Sequence, residues 1–133
     1  MKKIIFFIKN NFKKIIKFGL TGGLGTLTNI FVFFITNSIL KINYIICSIL
    51  AFLVAVTQNY FLNSIWTFNQ NKSFKKYIKF VFISVFGLIV NLIVLTIFVE
   101  LFKIKIPILG QIVGIFAGMI FNYLGSHFFI FSK

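Results

Sequence analysis

Acidic residues are almost absent from this chain: Glu100 is the only side-chain carboxylate in 133 residues. Arginine is missing, and there is one histidine, one cysteine and one proline. With so few titratable groups, no set of converging acid–base residues or metal ligands can be drawn from the sequence. We therefore expect no enzyme, no catalytic residue, no metal and no cofactor. Cys47 alone supports no disulfide framework. Charge is scarce as well, since Asp, Glu, Lys and Arg make up 11 % of the chain, where a soluble domain carries roughly a quarter.

What is present is apolar. Hydrophobic residues account for 59 % of the chain and mean hydropathy is +1.04. The charges are gathered into a few places and leave four charge-free runs, residues 18–40, 42–71, 80–99 and 106–132. Each matches or exceeds the roughly 20 residues that an α-helix needs to cross a bilayer. The fold class expected is therefore an all-α integral membrane protein with four transmembrane helices. A net charge of +13 is of the sign that nucleic acid attracts, but nucleic-acid binders carry a basic patch on a water-facing fold. Here the lysines border membrane spans, so no nucleic-acid partner is expected.

Residues 1–17 form a basic amphipathic segment. Lys2, Lys3, Lys9, Lys13, Lys14 and Lys17 alternate with isoleucine and phenylalanine, and Ile5, Ile8, Phe12, Ile15 and Ile16 share a helical face. Such a segment can lie in the interface with its lysines towards anionic lipid headgroups. The four-helix domain follows over 18–133. Eleven of the fourteen lysines lie on the side of the termini and the central connection, and only Lys41, Lys103 and Lys105 lie opposite. The positive-inside rule then puts both termini in the cytoplasm, with the protein multi-pass in the cytoplasmic (inner) membrane.

The chain also repeats itself. Small residues recur every fourth position as Cys47, Ala51, Ala55, Asn59 and Asn63, and again as Gly110, Gly114, Gly118, Asn122 and Ser126. In a helix that spacing stacks them on one face. Gly25 corresponds to Gly87, Asn29 to Asn91, and the lysine-rich 13–18 to 75–80. Two copies, over about 13–68 and 75–131, each comprise a basic segment and a two-helix hairpin. Two crossings per copy give both copies the same orientation. Gly22, Gly23, Ala51, Ala55, Gly114 and Gly118 are the expected helix-packing positions, since small residues let backbones approach in lipid.

Several uncharged polar residues fall within the spans, among them Asn29, Gln58, Asn59, Asn63, Asn91, Gln111 and Asn122. The plain account is interhelical hydrogen bonding, worth about 0.6 kcal/mol each on average. Recurrence of Asn29 at Asn91 and of Asn59 at Asn122 adds a second account. Amides placed about a pseudo-twofold axis can hydrogen-bond a sugar without carrying charge into the membrane, while lysines at the rim attract a phosphate. Glu100 lies at the outer end of the third span, so the intramembrane acid that a proton-coupled cation exporter would use is missing.

Two stretches carry a family resemblance: Phe18-Gly19-Leu20-Thr21-Gly22-Gly23-Leu24-Gly25-Thr26-Leu27-Thr28-Asn29, and Asn59-Tyr60-Phe61-Leu62-Asn63-Ser64-Ile65-Trp66-Thr67-Phe68, echoed by the ending at Phe131. They resemble the GtrA-like family of small four-helix membrane proteins, over about residues 13–131. The resemblance implies a part in cell-surface polysaccharide or teichoic acid glycosylation. A polyprenyl-phosphate-linked sugar would be flipped across the membrane for use by a separate glycosyltransferase. Where that family often has a basic residue before its Trp-Thr-Phe ending, this chain has Ser64, and the second copy has His127. Lys17, Lys72 and Lys79, with His127, are therefore the expected phosphate rim, and Asn29, Asn59, Asn91 and Asn122 the expected polar path for the sugar. Expected partners are that lipid-linked sugar, membrane lipids, a membrane or cytoplasmic glycosyltransferase and, because four short helices enclose little space, a second copy in a homodimer. The rival expectation is an anchor that does not transport but recruits the glycosyltransferase to its lipid substrate.

Overall fold

A computed structural model describes residues 1–103 and 107–132. Lys105 lies outside the described residues, as do the side-chain surroundings of Gly110 and Gln111. All regular structure among the described residues is helical: α1 (Lys2–Phe33), α2 (Tyr44–Leu62), α3 (Phe74–Thr96) and α4 (Pro107–Gly125). Isoleucine, valine and phenylalanine are only fair helix formers in water, yet they dominate these helices. In hydrocarbon the backbone must satisfy its own hydrogen bonds, and a single helix is the local way to do so. Pro107 opens α4, where its missing N–H costs nothing.

All four helices are long and apolar enough to cross a membrane. Their outer faces show many large apolar side chains, such as Phe31, Phe34, Phe82 and Leu92. Water would penalise that surface, whereas lipid tails match it.

α1 differs from the expected span, which began near Phe18. The helix runs unbroken from Lys2, because the lysines that mark a membrane boundary are good helix formers and nothing before Gly19 interrupts them. At about 1.5 Å per residue, the part before Phe18 adds about 24 Å beyond the apolar span.

Each helix closes in a widened final turn, over Phe34–Ile39, Asn63–Thr67, Ile97–Leu101 and Ser126–Ile130. In these turns the N–H groups of Leu40, Phe68, Phe102 and Phe131 donate five residues back. Lys41, Asn69 and Lys103 follow three of the turns with φ of 56°, 49° and 49°. That left-handed residue lets Ile42 N–H reach Thr36 O and Gln70 N–H reach Ser64 O, satisfying carbonyls that would otherwise be stranded at the helix end.

The chain divides into two compact units, Met1–Ser73 and Phe74–Lys133. α1 packs on α2 in the first and α3 on α4 in the second. Each unit is an antiparallel helical hairpin whose seam is lined by the small and polar residues of the four-residue pattern.

Candidate functional site: the seams and the lysine rim

In the first hairpin, Thr21, Gly25 and Asn29 follow one another at four-residue spacing on α1, as do Ala51, Ala55 and Asn59 on α2. Antiparallel packing sets the start of one stripe against the end of the other. Asn63, in the widened turn after α2, is 1 % exposed, and its Oδ1 accepts hydrogen bonds from Thr21 Oγ1 and Thr67 Oγ1, both at 2.8 Å. Thr21 is fully buried and also lies 2.8 Å from the Phe18 carbonyl. One turn further, the Asn59 carboxamide sits where a Cβ on Gly25 would be. Thr28 Oγ1 then donates to Gln58 Oε1 at 2.7 Å. Cys47 and Ala51 are fully buried and Ala55 nearly so. Asn29 is half-buried.

The second hairpin has the same layout. The Asn122 carboxamide occupies the space beside Gly87, and that of Asn91 the space beside Gly114. A Cβ on Gly118 would lie 2.6 Å from the Gly87 carbonyl oxygen, so here the two backbones nearly touch. At the end of this seam the polar trio of the first hairpin is replaced by Ile83, Ser126 and Ile130. Ile83 Cγ2 would lie 2.8 Å from a Cβ on Gly125. Ser126 is fully buried.

Four polar atoms in these seams are buried without a hydrogen-bond partner among the described residues: Oδ1 of Asn59, Asn91 and Asn122, and Oγ of Ser126. An unmet buried acceptor costs roughly 1–3 kcal/mol. Threonines elsewhere in the spans avoid that cost by donating to the carbonyl four residues back, as Thr26, Thr36, Thr57 and Thr96 do.

Lysines and aromatic rings meet at the end of each hairpin that carries the chain connection. Lys17 Nζ lies 5.3 Å from the centre of the Trp66 ring and donates to the Trp66 carbonyl at 3.1 Å. Lys72 Nζ is 5.3 Å from the Phe61 ring, and Lys76 Nζ is 5.8 Å from that of Phe131. Each ring face attracts its ammonium group, which limits where the charge can roam. Lys79 is exposed. The His127 ring stacks on Tyr123 with centroids 5.8 Å apart and meets Phe128 edge-on at 4.8 Å. Tyr60 ties the connection down, because its hydroxyl donates to Ser73 O and accepts from Ser73 N–H, both at 2.9 Å.

The structure thus brings Asn59, Asn91 and Asn122 into seam positions, each against a glycine of the facing helix. Ala51, Ala55, Gly114 and Gly118 are buried in the same seams. Gly22 and Gly23 lie off the α1–α2 seam, since neither would place a Cβ within 4 Å of a described neighbour. They lie about 100° and 200° around the helix from the stripe of Thr21 and Gly25, so of these three glycines Gly25 makes the close contact. Ser64 is buried and donates to Tyr60 O at 2.7 Å, which removes it from the rim. Sequence reasoning passed over Thr21 and Lys76. The signal for Thr21 was its position four residues before Gly25.

No curated protein sequence matches the chain. A family model, GtrA/DPMS, transmembrane domain, matches residues 17–131, which takes in both hairpins, both seams and the rim lysines from Lys17 onward. The chain is therefore a multi-pass membrane protein belonging to the GtrA/DPMS transmembrane-domain family.

Proposed function

We propose that this protein moves a polyprenyl-phosphate-linked sugar from the cytoplasmic to the outer leaflet of the cytoplasmic membrane, for glycosylation of a cell-surface polysaccharide or teichoic acid. The two hairpins act as repeated halves in one orientation with both termini inside, and the protein has no catalytic role of its own. The observation that carries the reading is the set of buried carboxamide oxygens on Asn59, Asn91 and Asn122 that lack a donor among the described residues. A sugar hydroxyl is a neutral donor, so it would satisfy such an oxygen without bringing charge into the bilayer. Lys17 and Lys72 in the first hairpin, and Lys79, Lys76 and His127 in the second, are the rim groups that attract the phosphate, while the polyprenyl tail stays in lipid. Family membership supports the same class of cargo.

Native mass spectrometry of protein purified gently from its own membrane tests this reading. Retention of a polyprenyl-phosphate hexose or aminosugar is expected, and the spectrum also reports whether one or two copies carry it. An Asn59→Leu/Asn122→Leu variant that still supports full sugar transfer at the cell surface would reject the polar path.

One observation favours a second reading, in which the protein recruits a glycosyltransferase and transports nothing. α1 extends unbroken before its apolar span and shows exposed Ile4, Phe6 and Phe12 beside its lysines, a surface suited to a soluble partner. Deleting residues 2–12 would abolish recruitment under that reading and leave lipid binding intact under the first.

A further inference from the structure

The two hairpins are alike in layout and unlike in how their seams are closed. In the first, hydrogen bonds cross the seam from Thr21 to Asn63 and from Thr28 to Gln58. The positions that match these four in the repeat hold Ile83, Ser126, Val90 and Phe121. Those pairings are therefore lost from the second hairpin, which closes instead by backbone contact at Gly118. It retains buried oxygens with no partner among the described residues: Asn91 Oδ1, Asn122 Oδ1 and Ser126 Oγ. Asn122 on α4 and Ser126, which opens the widened turn after it, are four residues apart in line with Gly118 and Gly114, so they share a face. Ser126 is fully buried, and its Oγ has no hydrogen-bond partner among the described residues.

We infer that the α3–α4 seam is the part of the protein that recognises the hydroxyl-rich headgroup, with Asn91, Asn122 and Ser126 as the acceptors. The site is completed when α3 and α4 part. This deepens the transport reading and rests on it. Buried acceptors without donors make the closed seam the less satisfied state, and a polyol entering between the helices supplies the missing donors. The first hairpin, laced by its threonines, is the harder of the two to open. Asn59 remains on the path, but discrimination between a sugar-bearing lipid and a bare lipid phosphate belongs to the second hairpin.

The test compares binding of two probes to the full chain in nanodiscs, a polyprenyl-phosphate glucose and the same polyprenyl phosphate without sugar. For Asn122→Leu/Ser126→Ala the preference for the sugar-bearing lipid is expected to fall about tenfold, the scale of two hydrogen bonds, with affinity for the bare phosphate unchanged. Thr21→Val/Thr28→Val is expected to keep the preference. Retained preference in Asn122→Leu/Ser126→Ala, or equal loss in Thr21→Val/Thr28→Val, would overturn the assignment of the site while leaving the transport reading standing. Wild-type protein that does not distinguish the two lipids would overturn both.

A reversible lock guards against misfolding of the substituted seam. Ile83→Cys/Gly125→Cys in a Cys47→Ser background removes the Ile83 methyl group that now fills the space beside Gly125, and sets two thiols within bridging reach. Oxidation is expected to abolish the sugar preference and reduction to restore it in the same sample. Unchanged preference after complete oxidation would show that the seam need not open.

Discussion

Replacing Gly118 by alanine should weaken the second hairpin, and replacing Gly22 by alanine should strengthen the first helix. Both substitutions gain the same helix propensity, about 1 kcal/mol for Gly to Ala in a helix interior. They differ in what the new methyl group meets. At Gly118 it would lie 2.6 Å from the Gly87 carbonyl oxygen and 3.4 Å from Asn91 Cβ, whereas at Gly22 nothing lies within 4 Å. The Gly87 oxygen belongs to the α3 backbone and cannot swing aside, so α3 and α4 must separate by several tenths of an ångström. Overpacking of that kind costs about 1–3 kcal/mol, and the propensity gain cancels between the two variants. We expect Gly118→Ala to be less stable than Gly22→Ala by about 1–3 kcal/mol, or about five- to 150-fold in the folded-to-unfolded ratio. Titration of the purified variants with sodium dodecyl sulfate, followed by circular dichroism, reads that difference. Equal stability, or a more stable Gly118→Ala, would refute the close backbone contact between α3 and α4 at Gly118.

Thr21→Val should cost about 1 kcal/mol by removing one of the two donors to Asn63 Oδ1, and a double-mutant cycle with Asn63→Leu should return a coupling of about that size. Tyr60→Phe removes both hydrogen bonds to Ser73 and should speed proteolysis of the connection around Lys72 without lowering helix content. Lys17→Met takes an ammonium group from the face of Trp66, the only tryptophan, and a change in intrinsic fluorescence reports that loss directly. Lys41→Gly relieves a left-handed backbone at φ 56° and should raise the melting temperature, because glycine adopts that conformation without a Cβ penalty.

The four spans were legible because a bilayer imposes a length and an absence of charge, and both can be read from composition. The seam residues were legible for a similar reason. Four-residue spacing of Ala51, Ala55 and Asn59, and of Gly114, Gly118 and Asn122, is a face of a helix whatever the helix packs against. The start of α1 was not legible, since lysines mark where a chain leaves the apolar layer and do not mark where a helix ends. Nor was the role of each glycine in the 19–25 cluster, because composition gives no phase and only one of the close neighbours Gly22, Gly23 and Gly25 could face α2. The Thr21–Asn63–Thr67 group escaped because its repeat positions, Ile83, Ser126 and Ile130, preserve the packing and not the hydrogen bonds. Lysines at helix C-termini with positive φ were hidden for a different reason, as glycine is the residue that ordinarily signals that turn.

Transport itself is tested most directly in proteoliposomes loaded in one leaflet with polyprenyl-phosphate glucose, using a membrane-impermeant oxidant to report sugar that has reached the other leaflet. Leaflet exchange well above that of empty liposomes is expected with the wild-type chain, and exchange near that background with Asn59→Leu/Asn122→Leu. Exchange at the background rate in wild-type vesicles whose protein is folded, or full exchange in the double variant, would contradict it.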